Sequence, residues 1–170
     1  TCATLDNNTL KCWGHNMYGQ LGIGAADHRG NGPGEMGDSL PTVDLGTGRT
    51  PRSVAGGVFQ TCALLDDDTI KCWGYNAWGQ LGLGDTNWRG DSAGEMGEYL
   101  PAVALGTGRS SRSLATGFDH ACSVLDNDSV KCWGGNASGQ LGLGDINRRG
   151  DEVNEMGDIL AFVALGTGRT

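Results

Sequence analysis

Six cysteines are the residues of this chain best placed to do chemistry, and they come in pairs: Cys2 with Cys12, Cys62 with Cys72, and Cys122 with Cys132. Nine residues separate the members of every pair. An even count at one recurring spacing is the pattern of a disulfide framework. A zinc site calls for close C-x-x-C or histidine clusters. There is no C-x-x-C here, and His15, His28 and His120 stand at unrelated positions. Free buried thiols are the remaining alternative.

Oxygen-bearing side chains form a second set. Asp85, Asn87 and Asp91, with Glu95 beyond, and their counterparts Asp145, Asn147, Asp151 and Glu155, offer ligands of the kind calcium takes. They lack the spacing of a calcium helix-loop-helix site, and the first copy has Ala25 and Asn31 where the others have Asp. A hydrogen-bonded surface loop is the stronger reading, so no metal is expected. Arg89-Gly90-Asp91-Ser92 spells an adhesion tetrapeptide, but its partial copy at Arg149-Gly150-Asp151 points to a loop consensus. Asn7, Asn127 and Asn136 stand in Asn-x-Ser/Thr context and are candidate glycan acceptors on a eukaryotic secretory route. Asp66, Asp67 and Asp68 lie together on a turn, where solvation accounts for them. No histidine recurs between copies, and no Ser or Cys has a recognisable base. The chain therefore reads as no enzyme and carries no expected cofactor.

These groups are positioned by a repeat. Lys-Cys-Trp-Gly occurs at Lys11 to Gly14, Lys71 to Gly74 and Lys131 to Gly134, each followed by Gly-Gln-Leu-Gly from Gly19, Gly79 and Gly139. A fixed sixty-residue period marks a stacked or radial repeat architecture, and such proteins usually work as surfaces. Within one copy, Thr61 to Leu65 and Thr69 to Trp73 are strand-like runs about an acidic turn, a β-hairpin. Pairing Leu65 with Thr69 sets Leu64 against Ile70 and Cys62 against Cys72. That register favours a cross-strand disulfide, best accommodated at a non-hydrogen-bonded pair where the strands approach most closely. Trp13, Trp73 and Trp133 fall on the opposite strand face and are expected to pack between units. The Gly-rich run after the hairpin reads as an ordered turn with Leu81 inward; no helix follows it, so it is not a dinucleotide loop. Residues 100–105 read as a further strand, with Pro101 at its edge or start, and residues 112–117 as a strand leading into the next hairpin. Four short strands per period is the composition of a propeller blade.

With 31 glycines in 170 residues, Gly is far above its usual share, but it recurs at fixed turn positions. The net charge is −8 with only 12 Lys and Arg, which excludes a basic nucleic-acid face. No apolar run approaches the roughly 20 residues of a membrane span, so direct membrane insertion is not expected.

The string Leu-Asp, turn, Lys-Cys-Trp-Gly-x-Asn-x-x-Gly-Gln-Leu-Gly resembles the regulator of chromosome condensation repeat across the whole chain. Its cysteine-containing form is similar to secreted bacterial and algal or protist members. The resemblance implies an all-β fold of three four-stranded β-propeller blades, residues 1–60 (its leading strand absent), 61–120 and 121–170, together one partial propeller. Three blades do not close a ring, so the arc is expected to belong to a longer polypeptide, to self-associate, or to rest on a protein partner. The expected function is non-catalytic protein binding or scaffolding in an oxidising place: outside the cell, at its surface or in a secretory or organelle lumen, and not in the nucleus. Two alternatives stand beside it, an accessory subunit docked on a large membrane or photosynthetic complex, and a regulator of a small GTPase or an enzyme. Specificity is expected in loops 25–39, 85–99 and 145–159.

Overall fold

A computed structural model of the chain describes residues 1–166. It is all-β apart from two single-turn 3-10 segments, Gly37–Ser39 and Gly97–Tyr99. The strands are β1 Cys2–Thr4, β2 Leu10–Cys12, β3 Pro51–Gly56, β4 Gln60–Leu65, β5 Ile70–Gly74, β6 Ser111–Thr116, β7 His120–Leu125 and β8 Val130–Gly134. They form three antiparallel sheets in sequence order: β1-β2, β3-β4-β5 and β6-β7-β8. None of the described helical segments is long and apolar enough to cross a membrane.

Each hairpin closes through the same local chemistry. The Leu65 N–H reaches the Thr69 carbonyl at 2.9 Å, and the Asp68 N–H turns back to the Leu65 carbonyl at 3.1 Å. Asp68 lies at φ 63°, with Asn8 at 61° and Asp128 at 66° in the other copies. Asn and Asp are the side chains that tolerate this left-handed conformation best after glycine, which is why the third turn position is always one of them. Asp67 Oδ1 accepts from both the N–H and the hydroxyl of Thr69. The acidic cluster is therefore turn chemistry.

The turn sets the register expected from it: Leu64 opposite Ile70, Cys62 opposite Cys72. In the first sheet Thr1 and Trp13 exchange both N–H···O bonds, at 2.8 and 2.9 Å. The neighbouring Cys2–Cys12 pair is then a non-hydrogen-bonded one. All six cysteines are joined in their hairpins, with Cα–Cα distances of 4.1 Å at each pair.

The strand expected over residues 100–105 differs. It runs extended beside β5 and holds the sheet by one backbone bond, Val103 N–H to the Ile70 carbonyl at 2.8 Å; Val43 and Val163 repeat it on Leu10 and Val130. Pro101 has no N–H to give. The inward residues Leu100, Val103 and Leu105 do not alternate strictly, so no ladder forms. The described sheets thus hold three strands at most, with the fourth segment docked on the edge. A period counted from residue 1 cuts the chain at 60 and 120. The sheets begin about ten residues earlier, because β3 and β6 pair with the hairpins that follow them.

The core lies between sheets. Side chains alternate along a strand, so Cys62, Leu64, Ile70 and Cys72 share one face and meet Ala121, Leu125 and Trp133 of the following sheet. Ala63, Leu65 and Trp73 share the other and meet Leu10, Cys12 and Leu21 of the preceding one. Each junction therefore sets the disulfide face of one blade on the tryptophan face of the next.

Candidate functional site

Most of the chemically capable residues are used to hold blades together. Trp73 and Trp133 are fully buried, and each is close-packed on the glycine turn of the preceding blade: a Cβ on Gly22 would meet Trp73 Nε1 at 2.7 Å, and one on Gly82 would meet Trp133 Nε1 at 2.8 Å. That contact explains the recurrent Gly after Gln-Leu. Trp13 is only part-buried. The lysine before each Cys-Trp-Gly is a strap that sequence reasoning passed over. Lys71 Nζ donates to the carbonyls of Leu45 (3.0 Å) and Gly97 (2.7 Å), and Lys131 Nζ to those of Leu105 (3.0 Å) and Gly157 (2.6 Å). The signal was present: Lys71 shares a strand face with Trp73, so it points at the neighbouring blade. Burial draws the Lys131 ammonium below the ordinary lysine range, and Asp158 opposes this.

The loop carboxylates are likewise engaged. Glu35, Glu95 and Glu155 each turn Oε2 onto backbone N–H groups of their own loop. The Gly32 N–H leads in holding Glu35 below the usual carboxylate range. Asp85 Oδ2 pairs with Arg89 at 2.7 Å while its Oδ1 accepts the Asn87 N–H, and Asp145, Arg149 and Asn147 repeat this. Asn147 N–H and Arg149 lower the Asp145 pKa. Burial, then the neighbouring Glu155, raises that of Asp151. Among the described residues no three His, Cys, Asp or Glu gather as a metal site. The Arg-Gly-Asp tripeptide is a junction strap: the Arg89 backbone bridges Gly74, and the Gly90 carbonyl accepts the Gly24 N–H of the preceding blade.

The three candidate glycan acceptors separate. Asn7 and Asn127 are exposed on hairpin turns. Asn136 is 0% exposed; its Nδ2 donates to the Asp145 and Asn147 carbonyls and its Oδ1 accepts the Leu141 N–H. A glycan on Nδ2 would have to displace that network, so Asn136 is the least accessible of the three in the fold.

What remains is an aromatic rim. Tyr18 packs edge-on against Phe59 (4.9 Å between centroids), Tyr75 (4.9 Å) and Trp88 (5.0 Å), and Tyr75 reaches Trp88 at 5.5 Å. His15 stacks on His28 at 4.8 Å beside this group. Trp78 and Phe118 extend it, and with Tyr18, Phe59, Tyr75, Gln80 and Asp119 they wall a cavity of about 150 Å³. Arg148 lies over the Trp78 ring, 4.2 Å from its centroid. Trp78 is 38%, Trp88 37% and Phe118 67% exposed. These aromatics occupy positions where the copies differ: His15, Tyr75 and Gly135; Tyr18, Trp78 and Ser138; His28, Trp88 and Arg148. The expected specificity loops contribute only His28, Trp88 and Arg148. Comparing the copies for what varies, rather than for what recurs, was the signal that could have found the rest.

A family model described as the regulator of chromosome condensation (RCC1) repeat matches residues 112–140, which run from β6 through β8. The ultraviolet-B receptor UVR8 of Arabidopsis thaliana is 31% identical over 140 residues, 81% of this chain and 28% of the receptor. The chain carries an RCC1 repeat at residues 112–140, within one copy of its own sixty-residue period. A further relative of these repeats is the secretion-regulating guanine nucleotide exchange factor of Bos taurus, 29% identical over 82% of this chain and 27% of the factor. The RCC1-type propeller is also the structural match. Prp20p from Saccharomyces cerevisiae superposes with a TM-score of 0.66 over 96% of this chain and 36% of that one, at 19% identity. The chain thus spans under a third of the two curated relatives, and its three RCC1-type sheets are an arc of a propeller.

Proposed function

We propose that the chain is a non-catalytic protein-binding or scaffold module that works through its aromatic rim in an oxidising compartment. The observation that carries this is the convergence of six aromatics from repeat-variable positions, Tyr18, Phe59, Tyr75, Trp78, Trp88 and Phe118, on one part-exposed surface. Aromatic residues are enriched at the centres of protein interfaces. The acids, lysines and cysteines beneath are engaged in turns, straps and disulfides. Prp20p is described by its binding to Gsp1p and histones, which supports protein binding as a use of this fold. We take the blades as residues 1–45, 51–105 and 111–165. Further repeats, a second copy or a partner would complete the arc, because three blades do not close a ring.

The decisive experiment combines Tyr18→Ala, Trp88→Ala and Phe118→Ala. Cross-linking and mass spectrometry should show partners captured by the wild-type chain and lost from an equally folded variant; identical capture would sink the rim. Non-reducing mass spectrometry of the native protein should find three disulfides, and six free thiols would remove the oxidising compartment. Calcium is expected to give no calorimetric heat and no change in melting.

A second reading, regulation of a small GTPase, is favoured by the exchange-factor relative. A capture experiment that enriches no GTPase would rule against it.

A further inference from the structure

We propose that the rim cavity receives an arginine side chain of a partner protein, with Tyr18, Phe59, Tyr75, Trp78 and Phe118 as the aromatic walls and Asp119 as the anion. This rests on the rim being the binding surface and adds the chemistry of what enters it.

Three observations carry the step. First, the cavity of about 150 Å³ is lined by five aromatic residues together with Gln80 and Asp119. Ring faces carry the negative end of the aromatic quadrupole and attract cations, most strongly where water is thinned out. A carboxylate at the same opening adds a full charge and a bidentate acceptor that a planar guanidinium fits. The Asp119 side chain is 22% exposed and so remains reachable; one of its oxygens accepts from Gln140 Nε2 at 3.2 Å. Second, the chain already uses this chemistry on the same ring: the Arg148 guanidinium sits 4.2 Å from the Trp78 centroid. Lys131 sits 4.7 Å from the Phe162 centroid as a second case. Third, the net charge of −8 draws a basic segment toward the surface. A proline ring would also stack on aromatics but gains nothing from Asp119; a sugar would hydrogen-bond to that carboxylate through its hydroxyls but brings no charge to answer it or the net charge of −8. Arginine is favoured over lysine because its flat, weakly hydrated guanidinium loses less on stacking.

The test uses two capped tripeptides as probes, Gly-Arg-Gly and Gly-citrulline-Gly, which are nearly isosteric; citrulline carries a carbonyl oxygen in place of one guanidinium nitrogen and so lacks the charge and part of the donor fork. Titrated into the chain and followed by the Trp78 indole N–H resonance, the arginine peptide should saturate about tenfold tighter than the citrulline peptide. Phe118→Ala and Asp119→Asn should each weaken the arginine peptide several-fold and leave the thermal unfolding midpoint unchanged. Added salt should weaken it further. Equal binding of both peptides, or no saturable shift with either, overturns the inference. If that happens while the triple rim variant still loses its captured partners, the rim remains the binding surface for a neutral ligand. If capture also survives the triple variant, both readings fall.

Discussion

At the first blade junction the Gln20 carbonyl accepts two hydrogen bonds from the next blade, from Trp73 Nε1 at 3.2 Å and from the Thr61 hydroxyl at 2.8 Å. At the second junction Trp133 is as buried as Trp73, but its Nε1 has no partner among the described residues, and Ala121 stands where Thr61 stands. The straps match: Lys71 and Lys131 reach the same pair of carbonyls, and the Thr47 N–H on Glu98 becomes the Thr107 N–H on Asp158. On the rim the junctions part again, with Tyr18 edge-on to Trp88 at one and Arg148 over Trp78 at the other. The lysine and threonine straps are therefore repeated, while the bonds to the Gln20 carbonyl and the contacts facing the rim are not. A buried side chain within a junction can lose a hydrogen bond if its packing is kept.

The comparison breaks most completely when the tryptophan goes. Trp73→Ala or Trp133→Ala should cost about 3–5 kcal/mol each, since both leave a cavity at a fully buried site. Denaturant midpoints would measure it, and a loss below about 1 kcal/mol would mean the junction is not the core. Next come the disulfides. Replacing Cys62 and Cys72 together by Ala should cost about 2–3 kcal/mol on the short-loop estimate. Melting with and without reductant reads all three bonds at once.

Two finer changes test the difference between junctions. Trp73→Phe should cost about 1 kcal/mol more than Trp133→Phe, because only the first breaks a hydrogen bond. Ala121→Thr should stabilise by about 0.5–1.5 kcal/mol by offering the Gln80 carbonyl the hydroxyl that Gln20 already has from Thr61. Equal costs at the two tryptophans would show that the indole N–H of Trp73 contributes nothing there. Acid tests what the junctions share. Thr47 holds the Glu98 carboxyl, and Thr107 that of Asp158, below the ordinary range, with Lys71 and Lys131 assisting. A carboxylate with a depressed folded pKa contributes stability above its unfolded value and loses it as pH falls through the folded one. Stability should thus decline below about pH 4, and Glu98→Gln should flatten that decline. Asp151, raised by burial and Glu155, acts in the opposite sense as pH falls.

How much of this could be read beforehand follows from what kind of signal each part leaves. Hairpin register was legible because a short turn and a two-residue side-chain period leave one pairing that opposes Cys62 to Cys72. The same period put Trp73 on the other face, toward its neighbour. Residues 100–105 misled because an apolar run carries the signature of a strand whether it pairs along its length or docks by Val103 alone. A glycan-acceptor tripeptide is blind to burial, so the sequence could not set Asn136 apart from Asn7 and Asn127. Variation between the copies marks the rim residues one by one, but their meeting on one surface is geometric. Tyr18, Phe59, Tyr75 and Phe118 lie up to a hundred residues apart and meet only because successive blades stack at one angle.

The smallest expected effect on stability is at the rim, and it is the most informative about function. Phe118 is 67% exposed, and its removal leaves no cavity within the core, so Phe118→Ala should change stability by less than about 0.5 kcal/mol. Trp133→Ala, by contrast, should disturb fold and binding together. If the rim is a surface maintained for a partner, binding and stability must separate at Phe118: the midpoint stays and the partner is lost. A marked loss of stability at Phe118 would instead make the aromatic rim another part of the junctions, with the variable positions serving only to let unlike blades pack.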